Sequence, residues 1–222
     1  MKNQYFGDNR DLFTYDLVWE IIRAGLVSRF TFIPMLTPDD NSRHGQKYNR
    51  VKAVGRENKV LMRFLDKCVK NGRRDIQQLK PFFTKQGIET SIYDRSFSHQ
   101  KRREYFAQIG KGLLAKSLIL VDPDIGLEVG QPGEKHVSYA ELKDLYRRMD
   151  KRSILMVFQY FPRVPRLDYL NRRCAELKEK VNGDWPVCVD DNNIIFFFLT
   201  KDESLEHSLT HLIGDYTERY SN

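Results

Sequence analysis

Two hydrophobic rhythms alternate along the chain, and the alternation predicts the fold. Helical spacing opens it: in "DLFTYDLVWEIIRAG", Leu12, Tyr15, Leu17, Val18, Ile21 and Ile22 form one apolar stripe, and Gly25 marks a stop. A strand follows in "RFTFIPML", ended by the Pro34 and Pro38 region, and then "TPDDNSRHGQKYNRV", polar and loop-like. Over residues 57–70 the spacing is helical again. Val60, Leu61, Phe64, Leu65 and Cys68 mark one side, and Lys59, Arg63, Lys67 and Lys70 another. A further helix is predicted across "RRDIQQLKPFFTKQG", broken or restarted near Pro81.

The second half repeats the alternation. "ETSIYD" reads as a short strand, and "SHQKRREYFAQIGKGLL" as a helix capped by Ser98. "SLILV" is a buried strand, and "SYAELKDLYRRM" a helix with Ser138 and Glu141 in capping-box register. "SILMVFQYFPR" is the next strand and "PRLDYLNRRCAELKEKV" the next helix. "WPVCVDDNNIIFFFLTKD" makes two strands turning at residues 190–193, before a terminal helix from Glu203. Strands alternating with helices predict right-handed crossovers and parallel pairing. Unbroken apolar runs suit strands buried on both faces. The expected fold is α/β, a Rossmann-like three-layer sandwich with a mostly parallel sheet and a C-terminal antiparallel hairpin strand. Residues 1–222 form a single domain, with a helical and basic insertion around 41–87.

Composition narrows the classes. Of 222 residues, 41% are hydrophobic and 30% charged, enough for one sizeable core and too apolar for wholesale disorder. No window approaches the roughly 20 apolar residues of a membrane span, so no membrane partner is expected. The start, "MKNQYFGDNRDLF", lacks the apolar core of a secretory signal. Cys68, Cys174 and Cys188 are odd in number and widely spaced, which fits a reducing cytoplasm better than a disulfide framework or a zinc motif. His207 and His211 stand four apart without a third ligand, so no metal site is expected there. Nucleophile-elbow and P-loop signatures are absent.

Charge changes the picture more. The chain carries +7 overall, yet residues 41–116 hold 19 Lys and Arg against 6 Asp and Glu, a local +13. Such asymmetry suits a polyanion, and nucleic acid is the expected partner, with Lys59, Arg63, Lys101, Arg102 and Arg103 as phosphate contacts. A solvated face balanced by acidic residues elsewhere is the alternative.

The candidate chemistry sits in "SLILVDPDIGLEV". A buried strand ends by placing Asp122 and Asp124 around Pro123, with Gly126 and Glu128 behind. In open α/β sheets ligands collect beyond the carboxyl ends of the strands. Pro123 aims its neighbours instead of extending the ladder, and Gly126 permits a turn that returns Glu128 to the same mouth. Carboxylates there orient an amine, hold a cation or take a proton, or else only accept backbone N–H bonds. A second stretch, "NQYFGDNRD", precedes the first helix. Asp8, Asn9 or Asp11 caps that helix, or Tyr5, Phe6 and Asp8 fold over the sheet's mouth and complete a pocket.

"LILVDPDIGLEV", a helix, and then "SILMVFQYFP" resemble the middle of nucleic-acid adenine-N6 methyltransferases, closest in layout to the ribosomal-RNA branch and to the three-cysteine-motif partner proteins. The likeness spans most of the chain in layout and about a dozen residues in motif. It implies S-adenosylmethionine as cofactor, Asp122 and Pro123 as the first two motif positions, and Asp122 accepting a hydrogen bond from the target amino group. Asp124 and Ile125 stand where the family has proline and an aromatic, so Tyr160 or Phe161 must supply any stacking ring. The family's glycine-rich turn after the first strand is replaced by "IPMLTPDDNSRHG", in which Gly45 comes late.

Three readings follow. The first is a methyltransferase-like protein acting on nucleic acid. The second is a metal-dependent nuclease in which Asp122, Asp124 and Glu128 hold Mg2+, although no lysine sits at a telling spacing and Lys135 falls in a loop. The third is a non-catalytic module binding nucleic acid or protein.

Overall fold

A computed structural model describes residues 1–40 and 49–220. Among these residues seven α-helices and eight strands, with short 3-10 turns and one π-helical turn at Lys178–Asn182, follow nearly the predicted order. Helix α1 (Asn9–Arg23) leads into β1 (Arg29–Ile33). Helices α2 (Lys59–Lys70) and α3 (Leu79–Lys85) precede β2 (Glu89–Ile92), and α4 (Arg102–Ala107) precedes β3 (Ser117–Val121). Two short strands, β4 (Gly126–Leu127) and β5 (His136–Val137), pair with each other before α5 (Tyr139–Arg148). Then come β6 (Ile154–Tyr160), α6 (Arg166–Leu177), β7 (Val187–Asp190), β8 (Ile194–Thr200) and α7 (Glu203–Tyr220).

The main sheet has six strands in the order β2-β1-β3-β6-β8-β7. β1 pairs in parallel with β2 and with β3, and β3 with β6. β8 runs antiparallel to both β6 and β7, so it alone is reversed. The hairpin turn at residues 191–193 carries Asn192 at φ 68°, a left-handed position that asparagine tolerates.

Successive residues of the central strands enter two different cores, which shows that both faces of the sheet are covered. Leu118, Leu120, Met156 and Phe196 join a cluster with α1, α2, α3 and α7. Ile119, Val121, Leu155 and Phe197 join a second cluster with α4, α5 and α6. Each fully buried aliphatic or phenyl side chain contributes about 1.5–3 kcal/mol. The crossover from β1 to β2 therefore lies on one face and that from β2 to β3 on the other. Their divergence makes β1/β3 the switch point of the sheet.

Local signals were decisive where they were strong. Ser138 and Glu141 form the reciprocal capping box expected of them. Ser98 does not cap: the chain enters α4 through a 3-10 turn, and no side-chain bond is made. Pro81 lies inside the first turn of α3, where its missing N–H has no intrahelical partner to lose. The stretch expected as an insertion is the β1-to-β2 crossover itself, with residues 41–48 and hence Gly45 outside the described residues. Among the described residues no helix is long and apolar enough to cross a membrane.

Candidate functional site: a carboxylate pocket at the sheet edge

β3 ends at Val121, and the next residue stays in the ladder for one more bond: the Asp122 N–H donates to the Ile33 carbonyl of β1 at 3.0 Å. This fixes the Asp122 backbone at the switch point. Its side chain is 9% exposed and faces a cavity of about 50 Å³ shared with Tyr5, Asp8, Arg10, Asp11, Asp124 and Tyr160. Met1, Thr14, Pro123 and Phe158 complete the lining.

The loop beyond Asp122 is stapled to β6. Tyr160 N–H donates to the Ile125 carbonyl at 2.8 Å, and Leu127 N–H donates to Gln159 Oε1 at 2.8 Å. Gly126 makes this possible. At φ 145° its Cα lies so close to Gln159 that a Cβ would stand 2.3–2.6 Å from the amide group.

The opposite wall comes from the start of α1. Asp8 caps the helix, accepting the N–H groups of Arg10 and Asp11 at 2.8 and 3.0 Å, and it also lines the cavity. The two roles weighed for Asp8 are thus filled together. Asp11 accepts the Gly7 N–H at 2.6 Å. The Arg10 guanidinium stands 3.4 Å from Asp8, lies 4.7 Å over the Tyr160 ring and donates to the Tyr160 hydroxyl. Arg50 braces the turn from behind, donating to the carbonyls of Gly7 and Asp8 at 2.7 and 3.0 Å.

Burial dominates the electrostatics. It pushes the Asp122 carboxyl up to about 7, helped by the charges of Asp124 and Asp8 and opposed by the Met1 amino group and Arg10. Burial raises Asp8 as well, and Asp11 further, the latter also through the charge of Asp8. The Tyr160 hydroxyl is held above its usual range, again chiefly by burial. The pocket thus offers a carboxyl near half-protonation at neutral pH, beside a fixed cation and a phenol. That set accepts a hydrogen bond from an amine or hydroxyl, or exchanges a proton with it.

The residues singled out from the sequence divide in two. Asp122, Pro123, Asp124, Tyr5, Asp8 and Tyr160 meet in this cavity. Glu128 does not return to it: its carboxylate accepts the Tyr139 N–H at 3.1 Å at the start of α5, and its backbone carbonyl accepts from Arg173. Phe161 turns its ring onto Tyr169 at 5.6 Å, so of the pair Tyr160 and Phe161 it is Tyr160 that lines the cavity. Lys59 and Arg63 lie exposed on α2, and Lys101 and Arg103 at the start of α4, on the other face of the sheet. Arg102, expected as a phosphate contact, is engaged inside the protein. Its guanidinium grips Glu141 at 2.6 and 2.8 Å and the carbonyls of Gly133 and His136 at 3.2 and 3.0 Å. Arg10 escaped sequence reasoning, because nothing in its neighbourhood signals a contact with a strand 150 positions away.

Among the described residues no three His, Cys, Asp or Glu side chains stand together as a metal site. Lys135 reaches within 3.9 Å of Asp124, with its own side chain 59% exposed. S-adenosylmethionine does not fit the tip of β1 as arranged. Met1 is buried there, its amino group donating to the Met35 carbonyl at 3.3 Å and its carbonyl accepting the Thr37 N–H at 3.0 Å. Met35 holds a left-handed backbone at φ 42° with a full side chain, so the turn after β1 lacks the bare backbone that a glycine would offer there. The 50 Å³ cavity is also far below the roughly 300–1,000 Å³ of cofactor sites. No family model matches the chain, nor does any curated protein or solved structure.

Proposed function

We propose that this chain is a Rossmann-like, three-layer, methyltransferase-like protein that binds nucleic acid and receives the amino group of a base against Asp122. The observation that carries the reading is the Asp122 carboxyl at the switch point, buried, raised to about 7, and walled by Tyr5, Arg10 and Tyr160. The reversed strand β8 between β6 and β7, and Asp122-Pro123 closing a central strand, are in keeping with it. A cavity of about 50 Å³ admits an amino group but not a whole base. The base ring then rests outside, against the Tyr160 edge of the opening, with its N–H aimed at Asp122. No methyl-transfer step is assigned, because the chain start fills the place a donor would take.

The test compares two thymidine 12-mers that differ only at a central residue, adenine in one and unsubstituted purine in the other. A hydrogen bond to a charged acceptor is worth about 1.5–3 kcal/mol, so the adenine strand is expected to bind about tenfold or more tightly. Asp122→Ala is expected to erase the difference. Equal binding of both strands by the unmodified chain refutes the reading. Calorimetry with S-adenosylmethionine is expected to show no uptake. Micromolar uptake would mean that the Met1 segment moves aside, and would replace the holding role with methyl transfer.

A further inference from the structure

On the outer flank of the α1–α2–α3 face lies a cleft of about 220 Å³, separate from the carboxylate pocket. Its floor is aromatic: Phe64 of α2 and Phe82 of α3 stack with ring centroids 4.1 Å apart and planes 15° apart. Its rim is cationic, with Lys67, Arg73 and Lys85 all exposed. Among the described residues no acidic side chain lines it. The nearest carboxylate on α2, Asp66, turns the other way to pair with Arg50 at 2.6 Å. Among the described residues no ion pair joins Lys67, Arg73 or Lys85 to a carboxylate.

Helix-end electrostatics accounts for Lys67 and Lys70 in the last turn of α2 and for Lys85 in the last turn of α3, but not for Arg73, which lies in the loop beyond α2. Lys59, Arg63, Lys67 and Lys70 continue the charge along α2 at spacings of four, four and three. That row is about 16 Å long, the rise of roughly five nucleotides in a stacked strand. One phosphate needs far less.

The cleft also connects to the pocket. The loop leaving α2 is tied to the 3-10 turn Asn3–Tyr5, through Arg74 donating to the Gln4 carbonyl at 2.8 Å and Ile76 N–H donating to Asn3 Oδ1 at 3.1 Å. Tyr5, at the end of that turn, lines the carboxylate pocket.

We infer that the α2–α3 cleft binds the sugar–phosphate backbone of a single-stranded polynucleotide, stacking one base on Phe64 while Lys67, Arg73 and Lys85 hold the flanking phosphates. The inference extends the nucleic-acid reading above by assigning the surface that grips the polymer. It makes no use of Asp122.

The probe is a labelled 20-nucleotide oligodeoxyadenylate, followed by fluorescence anisotropy between 50 and 200 mM salt. Three phosphate contacts contribute about 0.7 each to the log–log salt slope of a single strand. The combined variant Lys67→Ala, Arg73→Ala, Lys85→Ala is therefore expected to flatten the slope by about 2. Its deficit against the unmodified chain should accordingly shrink about 18-fold over that salt range. Phe64→Leu is expected to weaken binding about tenfold with the slope kept, as loss of a base stack requires. Adenosine monophosphate at the same total phosphate is expected not to displace the strand. Displacement would assign the cleft to free nucleotides and overturn the claim, as would an unchanged slope in the triple variant or no binding at 50 mM salt. Equal binding of adenine and purine strands with a flattened slope in the triple variant would sink the pocket reading and leave the cleft standing. The opposite pair of results would do the reverse.

Discussion

Neutralising Asp122 is expected to stabilise the protein, and more so at alkaline pH. A carboxyl whose folded pKa is raised binds its proton more tightly folded than unfolded. Its folding contribution is therefore fully present at low pH and is lost as pH climbs from the unfolded value towards the folded one. With the group moving from 3.8 to about 7, the window runs from about pH 4 to pH 7. Three pH units at 1.36 kcal/mol each set an upper bound near 4 kcal/mol on the penalty at high pH. At pH 5 about 1.7 kcal/mol of that is already incurred, so roughly 2.5 kcal/mol separates pH 5 from pH 9. Asp122→Asn keeps the shape and removes the titration. For a chain of this length each kcal/mol moves Tm by about 2–4 °C, so the variant's advantage is expected to grow by about 5–10 °C between the two pH values. Differential scanning calorimetry at pH 5, 7 and 9 measures it. An advantage that does not grow with pH, or a variant less stable at all three, would mean that the carboxylate is comfortably charged in the fold and that the pocket's electrostatics have been misjudged.

Other substitutions probe the walls. Gly126→Ala is expected to cost about 2–4 kcal/mol in urea unfolding, because the new Cβ meets the buried Gln159 amide at a φ of 145°; a wild-type midpoint would refute the close approach. Arg102→Ala strips Glu141 of its partner and is expected to cost about 3 kcal/mol, while leaving the salt slope of oligonucleotide binding untouched. A slope change there would restore Arg102 as a phosphate contact. Asp8→Asn keeps a capping oxygen and removes a charge that burial penalises, so its Tm is expected to exceed wild type at pH 8 and to converge with it towards pH 4. A lower Tm at pH 8 would show that the ion pair with Arg10 outweighs the burial cost.

Much of the architecture is written locally. Apolar runs such as "SLILV" and "IIFFFLT" have no polar face to present to water, so their place in mid-sheet follows from the residues alone. The Ser138–Glu141 box needs only four consecutive positions. Asp122 at the tip of a buried strand is likewise fixed by where the apolar run stops. Short elements were illegible for the same reason: β4 and β5, at two residues each, are shorter than any hydrophobic period.

What tertiary structure alone decided is which ends meet. Asp8 and Asp122 are 114 positions apart and face one cavity only because α1 begins at the same sheet edge where β3 ends. Glu128 sits close to Asp124 in sequence yet points elsewhere, because the backbone bonds of the β4–β5 pair turn it towards the first N–H groups of α5. The +13 segment is contiguous in the chain, but α2 and α4 carry its cations to opposite faces of the sheet, so a sequence count joins charges that the fold separates. Periodicity records which side of each element is apolar, an energy each residue sets for itself. Strand order and loop direction are settled by packing between distant segments, and no local pattern encodes them.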